Sequence, residues 1–190
     1  MEKVRALGVA LGVLMALALV LSVAAPALAD ESLNARLQGY SEVPANSTEA
    51  SGEFRAKISR DESFIDYDLS YENLEGDVLM SHIHIAQRGV NGGITVWLCQ
   101  TAARPAPAPV ANLTPQCPAA PGKVSGRITA ANVIAISGPP EQGIAAGELD
   151  EVVKAIRAGV AYVNVHSTKF VPGEVRGQVR ASRGHHGDRD

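Results

Sequence analysis

Apolar and polar residues alternate along much of this chain. Phe54, Ala56 and Ile58 interleave with Arg55, Lys57 and Ser59, and Ile65, Tyr67, Leu69 and Tyr71 with Asp66, Asp68 and Ser70. Period two marks a strand with one buried face. Arg60-Asp61-Glu62 between the two runs reads as a hairpin turn. Ile83 and Ile85 alternate with His82, His84 and Ala86; Ile94, Val96 and Leu98 alternate with Thr95, Trp97 and Cys99. Between them lies Asn91-Gly92, a tight-turn signal. Further strands are expected over 33–39, 123–129, 161–166 and 174–180, about eight in all. A different period covers Leu149, Val152, Val153 and Ile156, which fall on one stripe of a helix. Acidic Glu148, Asp150 and Glu151 sit at its start, Lys154 and Arg157 toward its end, and Gly159 follows as a stop. The pattern predicts an all-β fold, a Greek-key β-sandwich or barrel with one short helix.

The front of the chain follows neither period. Lys3 and Arg5 precede a run from Ala6 to Ala25 in which Ser22 is the one polar residue. Pro26 and the small-x-small site Ala27-Leu28-Ala29 come next, then Asp30-Glu31. This order predicts a secretory signal peptide over 1–29, cleaved after Ala29. An uncleaved anchor is the other reading of about 20 apolar residues. With no cysteine nearby, a lipid-modified terminus is not expected. The mature domain then spans 30–181, followed by a polar tail over 182–190 expected to be disordered. Secretion, or retention in the periplasm or cell envelope, is the expected location. No second long apolar run suggests a membrane contact after cleavage.

The chain carries a net charge of −3. Losing Glu2, Lys3 and Arg5 leaves 15 basic against 19 acidic residues, or −4. There is no basic patch, which argues against a nucleic-acid partner. The two cysteines, Cys99 and Cys117, flank a Pro/Ala-rich stretch, Ala102 to Pro109. In an exported chain they are expected to pair, closing a loop of extended, polyproline-like backbone. Seventeen intervening residues without a histidine do not make a zinc spacing. Asn46-Ser47-Thr48 and Asn112-Leu113-Thr114 are glycosylation sequons. The nucleophile-elbow, zinc-protease, phosphate-loop and Cys-x-x-Cys motifs are absent.

Several blocks resemble one known family. Leu37-Gln38-Gly39-Tyr40-Ser41-Glu42-Val43-Pro44 is similar to the opening of the CHRD domain, first described in chordin. Ser81-His82-Ile83-His84-Ile85 with Asn91-Gly92 resembles its central hairpin, and Gly126-Arg127-Ile128 a later strand. Ile156 to Gly159, Tyr162 to His166 and Pro172 to Gln178 resemble its closing signature. The blocks run in order over roughly 32–181. The resemblance implies a sandwich of immunoglobulin-like or superoxide-dismutase-like type. It implies little about activity; the leading reading is an exported, non-catalytic binding or structural module for an extracytoplasmic ligand or protein. The growth-factor antagonism of chordin does not carry over, because the cysteine-rich modules are missing here.

Three histidines offer a second reading. His82 and His84 are two apart and leave one face of their strand. His166 shares a face with Tyr162 and Asn164, opposite Val163 and Val165. All three are expected on polar, non-core faces. Together they can ligate copper or zinc, with affinity falling below about pH 6.5 as imidazoles protonate. The arrangement looks like part of the copper site of copper/zinc superoxide dismutases. No histidine lies between His84 and His166, however, so the bridging imidazole and zinc loop are missing. Dismutase-type redox activity is therefore the weakest reading. The bland alternative makes His82 and His84 polar partners of Glu174 or Asp68. Arg176 is expected to pair with Glu42 or Glu174, and His185-His186 in the tail to be solvated.

Overall fold

The computed structural model describes residues 31–136 and 141–183. The expected signal peptide and the His185-His186 tail lie outside these residues. Nine strands form: β1 Glu31–Gln38, β2 Ser51–Ile58, β3 Phe64–Glu72, β4 Val78–Ile85, β5 Gly93–Cys99, β6 Gly122–Thr129, β7 Ala161–Ser167, β8 Val175–Gln178 and β9 Arg180–Arg183. All pairings between these strands are antiparallel. The strands make one sheet in the order β5-β4-β7-β8-β1-β2-β3-β6, with β9 also on β1. The sheet curls until its end strands approach, where Val96 of β5 bridges to Val133 just after β6. The result is a nearly closed barrel-like sheet. The run expected over 174–180 divides at Val179, whose N–H turns to the Ala161 carbonyl. Ser182 and Arg183, assigned by sequence to the tail, instead pair with Ser32 and Glu31.

Alternation does the folding work on β1, where Leu33, Ala35 and Leu37 are buried and the residues between them exposed. Phe54 and Ile58, Ile65 and Leu69, Ile83, Val96, Leu98, Ile128, Val163 and Val165 complete the interior. A helix, α2 (Leu149–Arg157), closes it with Leu149, Val152, Val153 and Ile156, the stripe read from the sequence. Burying each such side chain stabilises the fold by about 1.5–3 kcal/mol. Among the described residues no helix is long and apolar enough to cross a membrane.

Cys99 and Cys117 form a disulfide. The loop it closes is less extended than its prolines suggest. It contains one helical turn, α1 (Ala108–Ala111), with Pro107 as its N-cap. Gln100 holds the loop from inside. Its Nε2 donates to the carbonyls of Ala111 and Thr114, both at 2.7 Å, and its Oε1 accepts from the Ala106 N–H at 2.8 Å. With a sequence separation of 18 residues, reduction is expected to cost about 3 kcal/mol by loop entropy. A thermal melt with and without reductant measures this. Alkylation of the native, unreduced protein should find no free thiol.

The barrel is not uniform around its wall. Exposure alternates on β1, but every residue of β7 is buried. Both faces of the β4–β7 region are therefore covered, one by the core and the other by loops. Segments 39–50, 86–92 and 168–174 lock together over it. Asn46 Nδ2 donates to the Gly173 carbonyl at 2.7 Å, and Asn91 Nδ2 to the Val43 carbonyl at 2.9 Å. The histidines lie under this cover.

Candidate metal centre

Register brings the three histidines together. β4 pairs with β7 so that Met80 faces His166, His82 faces Asn164 and His84 faces Tyr162. Alternation puts all six on the face opposite Ile83, Ile85, Val163 and Val165. One cross-strand row runs Trp97, His82, Asn164, Arg176 and Gln38 through β5, β4, β7, β8 and β1. The register between β4 and β5 shifts on either side of His82-Ile83. Such irregularities re-aim side chains. The rings of His82 and His84 stand 5.4 Å apart, edge to face.

The histidines do lie on the polar, non-core face, and that face is buried. His82 is 0 % exposed, His84 7 % and His166 5 %. The face is polar as read, but alternation cannot tell a face in water from one beneath loops.

The hydrogen bonds fix most of the ring protons. His84 Nδ1 lies 2.9 Å from the Gly92 carbonyl, and His166 Nδ1 2.8 Å from the Val171 carbonyl. A carbonyl only accepts, so both Nδ1 atoms carry the hydrogen and both Nε2 atoms of the neutral rings are bare. These two Nε2 atoms meet at Asn164 Oδ1, at 3.1 and 3.0 Å. His82 Nδ1 is 3.2 Å from His166 Nε2, while its Nε2 is buried without a partner. With His166 Nε2 bare, His82 Nδ1–H is the donor to it, and the lone pairs of both Nε2 atoms of His84 and His166 also face Asn164 Oδ1. On its other side the Asn164 side chain serves the Glu42 carboxyl.

One potential ligand atom from each histidine lies within 4.8 Å of the others. An ion with bonds of about 2.0–2.1 Å needs ligand separations of about 3.3–3.5 Å, within reach of small ring rotations. The Nδ1–H to carbonyl anchors are the outer support that metal-binding histidines use. Burial lowers the basicity of all three rings: His84 is pushed down to about 4, His82 well below its ordinary value, and His166 in the same direction. The rings are neutral at pH 7, the form that binds metal.

Residues around the cluster were only partly legible. Asn164 shares a face with His166, as its spacing shows, but its central place depends on the β4–β7 register. Trp97 packs edge to face on His82, with centroids 4.2 Å apart. Tyr162 stacks on His84 at 4.7 Å, and the Arg176 guanidinium lies 3.4 Å over the Tyr162 ring. Arg176 does not bridge to Glu42 or Glu174 as expected. It donates to the Val90 carbonyl at 2.8 Å and to Asn91 Oδ1 at 3.1 Å, holding the loop cover down. Its charge still acts on Glu42, whose carboxyl burial pushes up to about 7. Glu174 accepts from Thr48 and the Glu75 N–H, and Asp68 serves Ser125 and Lys123. Neither carboxylate is the histidines' partner, because each is committed elsewhere.

The CHRD domain family model matches residues 33–179. No curated protein and no solved structure gives a match. The matched span takes in β4, β7 and all three histidines, and the chain belongs to the CHRD-domain family.

Proposed function

We propose that this protein is an exported, non-catalytic binding module whose ligand is a transition-metal ion, held by His82, His84 and His166. The observation that carries the reading is the convergence of three buried, neutral imidazoles, two of them with Nδ1–H tied to backbone carbonyls and Nε2 bare. Burial without a partner is costly for His82 Nε2, and a bound ion that turns or polarises that ring gives the pocket a purpose. Copper and zinc suit imidazole donors. Among the described residues there is no second cluster of metal-ligating side chains, which weighs against a two-metal dismutase centre. Export rests on the N-terminal sequence pattern and on the disulfide, which suits an oxidising compartment.

Trp97 is the single tryptophan in the chain and touches His82, so its fluorescence reports on the site. Titration of full-length mature protein carrying His185→Ala and His186→Ala should show one ion per chain. A His84→Ala variant, checked for folding by circular dichroism, should lose that binding. Equal, weak binding by both proteins would overturn the proposal. Metal at a hundred times its dissociation constant should stabilise the fold by about 2.7 kcal/mol. Because burial holds His84 near 4, proton competition should set in well below the pH 6.5 expected for solvated imidazoles.

A further inference from the structure

We infer that the ion is monovalent copper, and that the thioether of Met80 completes the three imidazoles. This rests on the metal-binding reading above and adds oxidation state and a fourth, soft ligand. Met80 faces His166 across the β4–β7 pair and lies on the same side of β4 as His82 and His84. Directly opposed residues have Cβ atoms about 4.5–5.5 Å apart, within reach of a flexible thioether. Met80 is half-buried at the edge of the cluster, while the rings behind it are sealed.

Charge and ligand type select the same ion. All three ring donors are neutral, and the oxygen among them, Asn164 Oδ1, belongs to a neutral amide. No carboxylate or thiolate joins the histidine cluster among the described residues. Two cations act on the rings: Arg104 on His166, and Arg176, 2 % exposed, on His84 through the Tyr162 stack. Their repulsion doubles when the bound ion goes from one charge to two, and the cost of burying the ion itself rises about fourfold. Divalent copper and zinc generally recover that cost from anionic ligands or water, and this pocket is shielded from water and has only neutral donors. Monovalent copper accepts few, soft, neutral ligands. The Trp97 ring against His82 adds a polarizable wall.

The test measures affinities of the mature protein bearing the His185→Ala and His186→Ala changes. Cu(I) is set against a colorimetric chelator without oxygen, and Cu(II) and Zn(II) against competing ligands. The same three ions are measured on Met80→Leu, which keeps volume and apolar character. Cu(I) should bind at least about a hundredfold more tightly than either divalent ion. Met80→Leu should weaken Cu(I) about tenfold or more and leave Cu(II) and Zn(II) within about twofold. Tight binding of a divalent ion on a par with Cu(I) would overturn this inference and leave the metal-binding proposal intact. Unchanged Cu(I) affinity in Met80→Leu would overturn the role of Met80. Absence of binding by any of the three would overturn both readings.

Discussion

Replacing Glu42 by Gln will stabilise the metal-free protein by about 3 kcal/mol at pH 8, and the advantage will fall below about 1 kcal/mol at pH 5 and vanish below the ordinary carboxyl value. Glu42 is 7 % exposed, and burial pushes its carboxyl from an ordinary 4.5 up to about 7, against the smaller pull of Arg176. The native state therefore holds a proton that the unfolded chain releases between pH 4.5 and 7. Stability from this group is complete below 4.5 and is lost as pH rises through 7. Glutamine has the shape of the neutral acid and no charge to bury, so the two proteins converge in acid. The variant also isolates the histidines, whose shifts have the opposite sign. Burial pushes His84 down to about 4, with His82 and His166 lowered as well, so below 6.5 the unfolded chain takes up protons that the native state refuses. Glu42→Gln should accordingly lose about 2–3 kcal/mol between pH 6.5 and 4 from His84 alone. For a chain of this size each kcal/mol is about 2–4 °C of melting temperature. Melts of parent and variant at pH 8, 6.5, 5 and 4 measure both limbs. A difference between the two proteins that does not change from pH 5 to pH 8 would show that Glu42 is ionised throughout.

A second substitution, Gly92→Ala, should damage stability and the site together. A Cβ at this position would overlap the Ile85 carbonyl oxygen and crowd its carbon and the Ala86 side chain. Backbone cannot yield as a flexible side chain would, so a cost of about 2–3 kcal/mol is expected. The displaced peptide carries the carbonyl that fixes the His84 Nδ1–H. Loss of such a support typically weakens metal binding about 10–100-fold. Gly89→Ala, in the same loop, is the comparison. Gly89 has φ +76 and nothing within 4 Å of an added Cβ, so the change strains the backbone by about 1–2 kcal/mol without reaching the histidines. Melting temperatures and metal affinities of the two variants separate a general loop effect from one that acts through His84. Parent-like affinity in Gly92→Ala would show that the Gly92 carbonyl does not orient the ring.

What the amino-acid sequence determined by itself is local and periodic. Two-residue alternation marked the strands, because side chains on a strand must leave opposite faces. The stripe from Leu149 to Ile156 marked the helix, because 3.6 residues per turn gather those side chains on one side. The same rule placed His82 with His84, and His166 with Asn164. The CHRD blocks lie in the span that the family model matches.

Only the tertiary structure decided what is long-range. The antiparallel pairing of β4 with β7 joins segments about eighty residues apart and sets Asn164 between the rings. Burial of the polar face depends on three loops, tied down by Asn46, Asn91 and Arg176. Alternation is blind to that cover, since a polar face under loops and one in water have the same pattern. The lowered basicity of the histidines and the raised value of Glu42 follow from the cover. Desolvation penalises whichever form is charged, and that depends on what the rest of the chain places above the group.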